Sequence, residues 1–321
     1  MRNLRIVYMG TPEFAVAPLG SLLINGFDIA GVVTAPDKPA GRGRKTAVSP
    51  VKRYALSAML PLSQPENLKS DEFISWLKKL DADIFVVVAF RMLPEIVWKV
   101  PELGTINLHA SLLPQYRGAA PINHVIINGE TVTGVTTFFI DDRIDTGKIL
   151  QREEVQIFPC DNAGDLHDRL MKHGARLMVS TLAAVAENRA EPRPQSDFLL
   201  PGELLKTAPK IHPPDCIINW NGVPERIHRL IRGLSPSPSA RFSIRNASSV
   251  RSVKVFESCP EFKEHDLTPG SIISDGRDYL KVSCKGGFIN ILNLQIEGRA
   301  RMSTPEFLRG FRIAGYSAEV S

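Results

Sequence analysis

Asn107 and His109 stand two residues apart in the run Thr105-Ile106-Asn107-Leu108-His109, so on a strand their side chains leave the same face. An amide donor beside an imidazole suits one task, stabilising an oxyanion while handling a proton. The same pair also serves to tie down a loop by hydrogen bonding, and spacing alone leaves both uses open. Downstream, Asp141-Asp142-Arg143-Ile144-Asp145-Thr146-Gly147 puts Asp145 directly before Thr-Gly. An acid there can orient an imidazole and support a positive charge on it. Asp-Thr-Gly is equally good turn chemistry, with Asp bonding the backbone two residues on. Placed beside Asn107 and His109, Asp145 supplies the third member of an Asn/His/Asp set.

A second chemistry is polyanion binding. Lys38, Arg42, Arg44 and Lys45 alternate with Ala40, Gly41 and Gly43, a positively charged finger able to order on a phosphate backbone and to present an arginine to base edges. The plain alternative is a solvated surface loop. Charge is unevenly placed along the chain. Residues 206–321 carry 17 Lys/Arg against 11 Asp/Glu, whereas residues 1–205 carry 22 against 23. A basic second half beside a neutral first half suggests a catalytic part joined to a polyanion-binding part. Lys206, Lys210, Arg299, Arg301, Arg309 and Arg312 are the candidate phosphate contacts there, each also readable as an ordinary surface charge. The four cysteines (Cys160, Cys216, Cys259, Cys284) have no CxxC or Cys/His ligand spacing, so neither a metal site nor a disulfide framework is expected.

The elements that must position these residues alternate in type. Leu4–Met9 reads as a strand ending at Gly10, then a helix to about Asn25 with Thr11 as N-cap and Pro12 in its first turn. Ile29–Thr34 is a second strand, and Ser49-Pro50 opens a helix to about Ala58. Asp71–Leu80 is helical in period. Asp83–Ala89 is apolar on both faces, as a central parallel strand requires. Gly104–His109 is the next strand, with Asn107 and His109 near its C-terminal end, where open parallel sheets bind ligands. Gly134–Ile140 and Ile149–Ile157 read as an antiparallel pair, and a helix from about Asn162 to Asn188 follows. The repeated β-α-β pattern predicts an α/β fold with a doubly wound, mostly parallel sheet, over residues 1–190. Pro192, Pro194 and polar neighbours open a linker, 191–209. Over 210–321, short strands between turns (Ala240–Ile244, Val250–Phe256, Gly270–Asp275, Tyr279–Cys284, Gly287–Leu294) follow a helix near Pro224–Leu234 and predict a small OB-like β-barrel. The longest dense apolar stretch, Ile84–Phe90, is strand-sized, so no membrane association is expected. The N-terminus enters a strand with no signal or transit pattern, and the expected location is the cytoplasm.

Several of these segments together carry a resemblance. They are Val7-Tyr8-Met9-Gly10-Thr11-Pro12-Glu13-Phe14-Ala15, the loop Pro36–Lys45, Val87-Val88-Ala89-Phe90-Arg91-Met92-Leu93-Pro94, the run from Asn107 through Ser111-Leu112-Leu113-Pro114-Gln115-Tyr116-Arg117-Gly118, and Asp145-Thr146-Gly147-Lys148. Over nearly the whole chain the sequence resembles the folate-dependent formyltransferases. The Gly41-Arg42-Gly43 loop and the basic C-terminal half are similar to the branch that acts on initiator tRNA. What the resemblance implies is transfer of the formyl group of 10-formyltetrahydrofolate, as co-substrate and without a metal, to the amino group of methionine on initiator Met-tRNA. No obligate protein partner is expected.

Carried over position by position, the resemblance implies that Asn107, His109 and Asp145 are catalytic. It implies that Phe90, Arg91, Met92, Leu93, Ser111, Leu112, Leu113, Pro114, Asp141 and Asp142 line the folate pocket. Lys38, Arg42, Arg44, Lys45, Lys206 and Lys210 would meet tRNA, and Thr11, Pro12, Glu13 and Phe14 would lie near the aminoacyl end. Three positions depart from the family's common pattern: Phe90-Arg91 stands for Tyr-Gly, Arg143 for glycine, and Pro213 for a second basic residue. Gly10-Thr11-Pro12-Glu13-Phe14-Ala15 lacks the second and third glycines of a dinucleotide fingerprint, which argues against an NAD-dependent dehydrogenase. The nearer rivals are folate enzymes acting on a sugar nucleotide or on glycinamide ribonucleotide, and a non-catalytic RNA-binding protein on a decayed transferase.

Overall fold

Strands apolar on both faces need cover on both, and the first half of the chain supplies it. In the computed structural model, which describes residues 3–40 and 45–319, the elements in order are β1 (Arg5–Gly10), α1 (Val16–Ile24), β2 (Asp28–Val33), β3 (Lys38–Ala40), β4 (Lys45–Ala47), α2 (Pro50–Ser57), β5 (Leu62–Ser63), α3 (Asp71–Lys79), β6 (Ile84–Val88), α4 (Glu95–Trp98), β7 (Thr105–His109), α5 (Pro121–Ile127), β8 (Val132–Phe139), β9 (Ile149–Gln156) and α6 (Ala163–Ala186). Two compact units share the chain. The first takes residues up to Gly118, Val132–Gln156 and His167–Thr207, and the second takes Ala119–Thr131, Ile157–Leu166 and everything from Ala208 on.

The first unit is a seven-stranded sheet in the order β5-β2-β1-β6-β7-β8-β9. Its first five strands are parallel, and β8 and β9 run antiparallel at one end. This is the doubly wound, mostly parallel sheet expected. From β1 the chain winds outward through β2 to β5, then returns to add β6 and β7 on the other side. The order therefore reverses between β1 and β6, and at such a point the strand ends open a crevice. Every residue of β6 is buried. Helix starts follow side-chain chemistry. The Ser49 hydroxyl accepts from Lys52 N with Pro50 behind it, and Ser70 accepts from Phe73 N. In α3, Asp71 and Glu72 occupy the first turn and Lys78 and Lys79 the last, matching the helix dipole. The expected cap at Thr11 is replaced. Pro12 precedes a 3-10 turn at Glu13–Ala15, α1 begins only at Val16, and the Thr11 hydroxyl accepts from Ala35 N at 3.3 Å.

The second unit contains α5, α7 (Pro224–Leu234), β10 (Ala240–Arg245), β11 (Val250–Phe262), β12 (Ile272–Ser274), β13 (Leu280–Cys284), β14 (Gly287–Ile296), β15 (Met302–Ser303), α8 (Thr304–Gly310) and β16 (Ser317–Ala318). The strands form one antiparallel, barrel-like sheet in the order β12-β13-β14-β11-β10-β16, with β15 added on β14. Its core centres on fully buried Trp220, which meets Phe242 edge-on at 5.1 Å, and on Ile227, Ile231 and Leu234 of α7. Strand β11 runs past its expected end at Phe256 and through Pro260. Beyond Val255 it pairs with β14 alone, and an open edge tolerates a residue that has no N–H to give.

Candidate active site

The C-terminal end of β7 delivers Asn107 half-buried and His109 buried. In register, Asn107 lies between Val87 of β6 and Phe138 of β8. The loop that follows is curled by its own polar groups. Thr136 Oγ1 donates to Ser111 O at 2.7 Å and accepts from Leu113 N at 3.1 Å, and Ser111 Oγ donates to Gln115 O at 2.7 Å. With a cis Leu113–Pro114 bond and Tyr116 at φ +60°, the loop brings the Tyr116 carbonyl to 2.9 Å from His109 Nε2. A carbonyl only accepts, so Nε2 carries a proton. On the ring's other side Nδ1 stands 3.8 Å from Asp145 Oδ2, and that same oxygen accepts from Gly118 N at 2.9 Å.

Asp145 sits in a tightly built loop. Its own φ is +55°, in the left-handed region. Gly147 follows, where an added Cβ would stand only 1.7 Å from Phe139 O. Asp141 Oδ1 accepts from Thr146 Oγ1 at 2.7 Å and from Arg143 N at 3.1 Å, closing the turn. The three residues singled out by chemistry are therefore brought to one end of the sheet, with the imidazole and the carboxylate facing each other.

The residues expected around folate divide into two groups. Phe90 and Leu93, after Ala89 at φ +46°, pack on the same apolar cluster as Ile140, at the base of the Asp145 loop. Met92 is exposed and, with Leu93, lines a cleft completed by Lys69, Pro94, Glu95, Ile96 and Lys99. None of Asn107, His109 or Asp145 lines that cleft. Ser111, Leu113 and Pro114 are buried inside the loop, Leu113 against Phe138 and Ile149. Leu112 is half-buried and closes over Gly134, where a Cβ would stand 2.4 Å from its Cδ2. Asp142 is exposed. The Arg91 guanidinium folds back to donate to Glu66 O at 3.0 Å and to Pro65 O, with Phe90 beneath it at 5.5 Å. Burial pulls its pKa down from the usual arginine value.

Of the residues expected at the aminoacyl end, Phe14 is buried and meets His167 edge-on at 5.3 Å, Pro12 and Glu13 are exposed, and Thr11 is half-buried. Lys206 and Lys210 are exposed. Lys38 and Lys45 belong to the β3–β4 pair, whereas Arg42 and Arg44 lie outside the described residues.

Residues that the motifs did not single out complete the surroundings of Asp145. Gln195, 5% exposed, donates from Nε2 to Asp145 O and Gly147 O, each at 2.9 Å. Its Oε1 accepts from Arg117 Nε and Nη2 at 3.0 and 2.6 Å. Only the glutamine's amide, with donor and acceptor on one carbon, hinted at such a bridge in the sequence. Among the described residues no group of three His, Cys, Asp or Glu side chains is placed to hold a metal ion, and no helix is long and apolar enough to cross a membrane.

A mostly parallel sheet carrying an Asn/His/Asp set at its strand ends, followed by a basic barrel-like unit, is the architecture of one class. Residues 4–182 match the family described as formyl transferase, residues 210–312 match the formyl transferase C-terminal domain, and the chain belongs to that family. Within it, the chain is 52% identical over 312 residues to the methionyl-tRNA formyltransferase of Bacteroides fragilis, covering 97% of this chain and 96% of the relative. It is 49% identical over 310 residues to the methionyl-tRNA formyltransferase of Flavobacterium johnsoniae, covering 97% of each. Among solved structures, a sugar 3N-formyl transferase (WlaRD) in the presence of dTDP and 5-N-formyl-THF shares the fold. Its TM-score is 0.65 at 21% identity, over 94% of this chain and 100% of that one.

Proposed function

We propose that this chain transfers the formyl group of 10-formyltetrahydrofolate to the amino group of methionine on initiator Met-tRNA, by direct attack through a tetrahedral intermediate. The observation that carries the reading is the imidazole of His109 held between Tyr116 O and Asp145 at the end of the strand that also bears Asn107. Identity of about half over nearly the full length to enzymes named for methionyl-tRNA supports the substrate.

The chemistry follows from the groups. The neutral amine attacks the formyl carbon, a new C–N bond forms, and the carbonyl oxygen gains negative charge. Asn107 donates to that oxygen, a contact that lowers the barrier by ~2.7–4 kcal/mol, and the positive charge of a doubly protonated His109 beside it stabilises the developing oxyanion. Asp145 faces the ring and takes the amine proton through water. Collapse of the intermediate then breaks the bond to N10, which receives a proton. Covalent capture by the protein has no part in this sequence.

In this reading Phe90, Leu93, Leu112 and the 141–145 loop form the walls of the folate site. The 36–48 finger and Lys206 and Lys210 meet tRNA. Residues 1–190 are the transfer domain, 191–209 the connection and 210–321 the tRNA-binding domain.

The test is formylation with 10-formyltetrahydrofolate as donor and three acceptors side by side: initiator Met-tRNA, a UDP-aminosugar and glycinamide ribonucleotide. Formylmethionyl-tRNA from the wild type and none from His109→Ala is the expected result. Preferential formylation of either small amine would overturn it.

A further inference from the structure

We propose that Gln195 is a positioning residue for formyl transfer, its carboxamide fixing the backbone of the Asp145 loop so that the carboxylate stays beside His109. The proposal rests on the reading of His109 and Asp145 as catalytic. Gln195 lies between the two stretches that match the family, 4–182 and 210–312.

The segment carrying Gln195 is itself anchored on the first unit. Arg193 exchanges both backbone hydrogen bonds with Ile149, at 2.8 and 2.9 Å. Phe198 packs on Leu113, Phe138 and Ile149, with the guanidinium of Arg152 at 4.7 Å and that of Arg193 at 4.8 Å over its ring. Farther on, Lys206 O accepts from Tyr116 N at 2.7 Å, and Tyr116 is the residue whose carbonyl faces His109.

Within that anchor, every hydrogen-bonding capacity of the Gln195 amide is used in a defined direction. Two N–H groups go to the carbonyls of Asp145 and Gly147, and the oxygen takes two N–H groups of Arg117. The two carbonyls flank Thr146, so the amide clamps the peptide chain on either side of it. Residue 145 needs such a clamp. At φ +55° a non-glycine residue is held in a sparsely populated conformation and persists only where its surroundings over-determine it. Gly118 N grips the carboxylate oxygen itself. Arg117, one residue before, grips Gln195. Side chain and backbone of Asp145 are thus fixed by adjacent residues of a single loop.

The test is single-turnover formylation by the full-length enzyme, with rate and substrate affinity measured separately, for Gln195→Met and Gln195→Glu in the wild-type and Asp145→Asn backgrounds. Methionine keeps the size and removes both donors and the acceptor. Glutamate keeps the bond to Arg117 and removes the donors, and it serves should the methionine variant fold poorly. In the wild-type background the transfer rate falls on the order of 100-fold, the effect of a misplacement of about 1 Å, while affinity for both substrates holds. In the Asp145→Asn background the same change adds little, because the carboxylate through which Gln195 acts is gone. A purely structural residue would lower the rate equally in both backgrounds or weaken substrate binding, and either result overturns the inference alone. An Asp145→Asn enzyme with native rate overturns the catalytic reading beneath it.

Discussion

The Nδ1 atom of His109 stands 3.8 Å from Oδ2 of Asp145, with the two side chains only 7% and 13% exposed. That separation is too long for a hydrogen bond and short enough for a strong charge interaction in a site shielded from water. Because Nε2 already donates to the Tyr116 carbonyl, a proton on Nδ1 would face the carboxylate and a lone pair there would face it with the wrong sign. The arrangement leaves Asn107 as the partner whose contribution can be separated from proton handling.

Asn107 carries no titratable group of its own, so Asn107→Ala isolates the oxyanion contact. The expected outcome is a fall in kcat of about 10²–10³-fold with KM for both substrates nearly unchanged, since the interaction is made in the transition state. Steady-state kinetics with the folate donor and initiator Met-tRNA measure it. A change confined to KM would mean that Asn107 binds substrate in the ground state.

The alternation of elements was legible because β6 is apolar on both faces and because Ser49-Pro50 is a cap that local chemistry alone specifies. Asn107 and His109 were legible for a similar reason, since period-two spacing survives whatever surrounds the strand. The departures at Phe90-Arg91 and Arg143 were visible, but their consequence was not. Arg91 turns its two Nη groups to the carbonyls of Pro65 and Glu66, distant in sequence, and leaves its buried Nε without a partner among the described residues. Arg143 needs no left-handed conformation, which falls instead to Asp145. Least legible was the stretch after α6. Its prolines signal a break in regular structure, yet the hydrogen bonds of Gln195 and the ring of Phe198 that fasten it are long-range contacts that no local pattern encodes.

Arg42 belongs to the finger that the sequence assigns to tRNA. Arg42→Ala should lower kcat/KM for initiator Met-tRNA by about 10- to 100-fold, the loss of one charge-assisted contact. Affinity for the folate donor should stay native. Titrating each substrate at saturation of the other separates the two. Unchanged tRNA kinetics would remove the finger from the acceptor site.

His228, on α7, points to an acid-sensitive spot in the second unit. Burial, with Arg232 nearby adding repulsion, pushes its pKa down to about 4, and its Nδ1 is 3.0 Å from Ser258 Oγ. The folded state thus holds His228 neutral while the unfolded chain takes up a proton near pH 6.5. Between those values the unfolded state binds more protons, so stability rises with pH and is lost as pH falls from about 6.5 toward 4. Because the ring is partly solvated, the loss is about 1–2 kcal/mol after allowance for screening. Denaturant melts from pH 7 to pH 4 should show a shallower slope for His228→Asn than for the wild type. Parallel curves would show that other groups carry the acid sensitivity.

Trp220 joins packing to polarity in one side chain. It is fully buried at the centre of the second unit's core, edge-on to Phe242, yet its indole Nε1 is buried with no hydrogen-bond partner. Trp220→Ala removes the ring and leaves a cavity, an expected loss of about 3–5 kcal/mol. Trp220→Phe gives up part of the same volume and also removes an unsatisfied donor whose burial itself costs about 1–3 kcal/mol. The two effects oppose, so Trp220→Phe should fall well short of the alanine variant and stay within about 1.5 kcal/mol of the wild type, as a modest hydrophobic exchange does. Equilibrium unfolding in urea, followed by circular dichroism in all three proteins, gives the comparison. A phenylalanine variant as unstable as the alanine one would show that the indole N–H is satisfied in solution, by water or by a shifted carbonyl, and that its hydrogen bond stabilises the core.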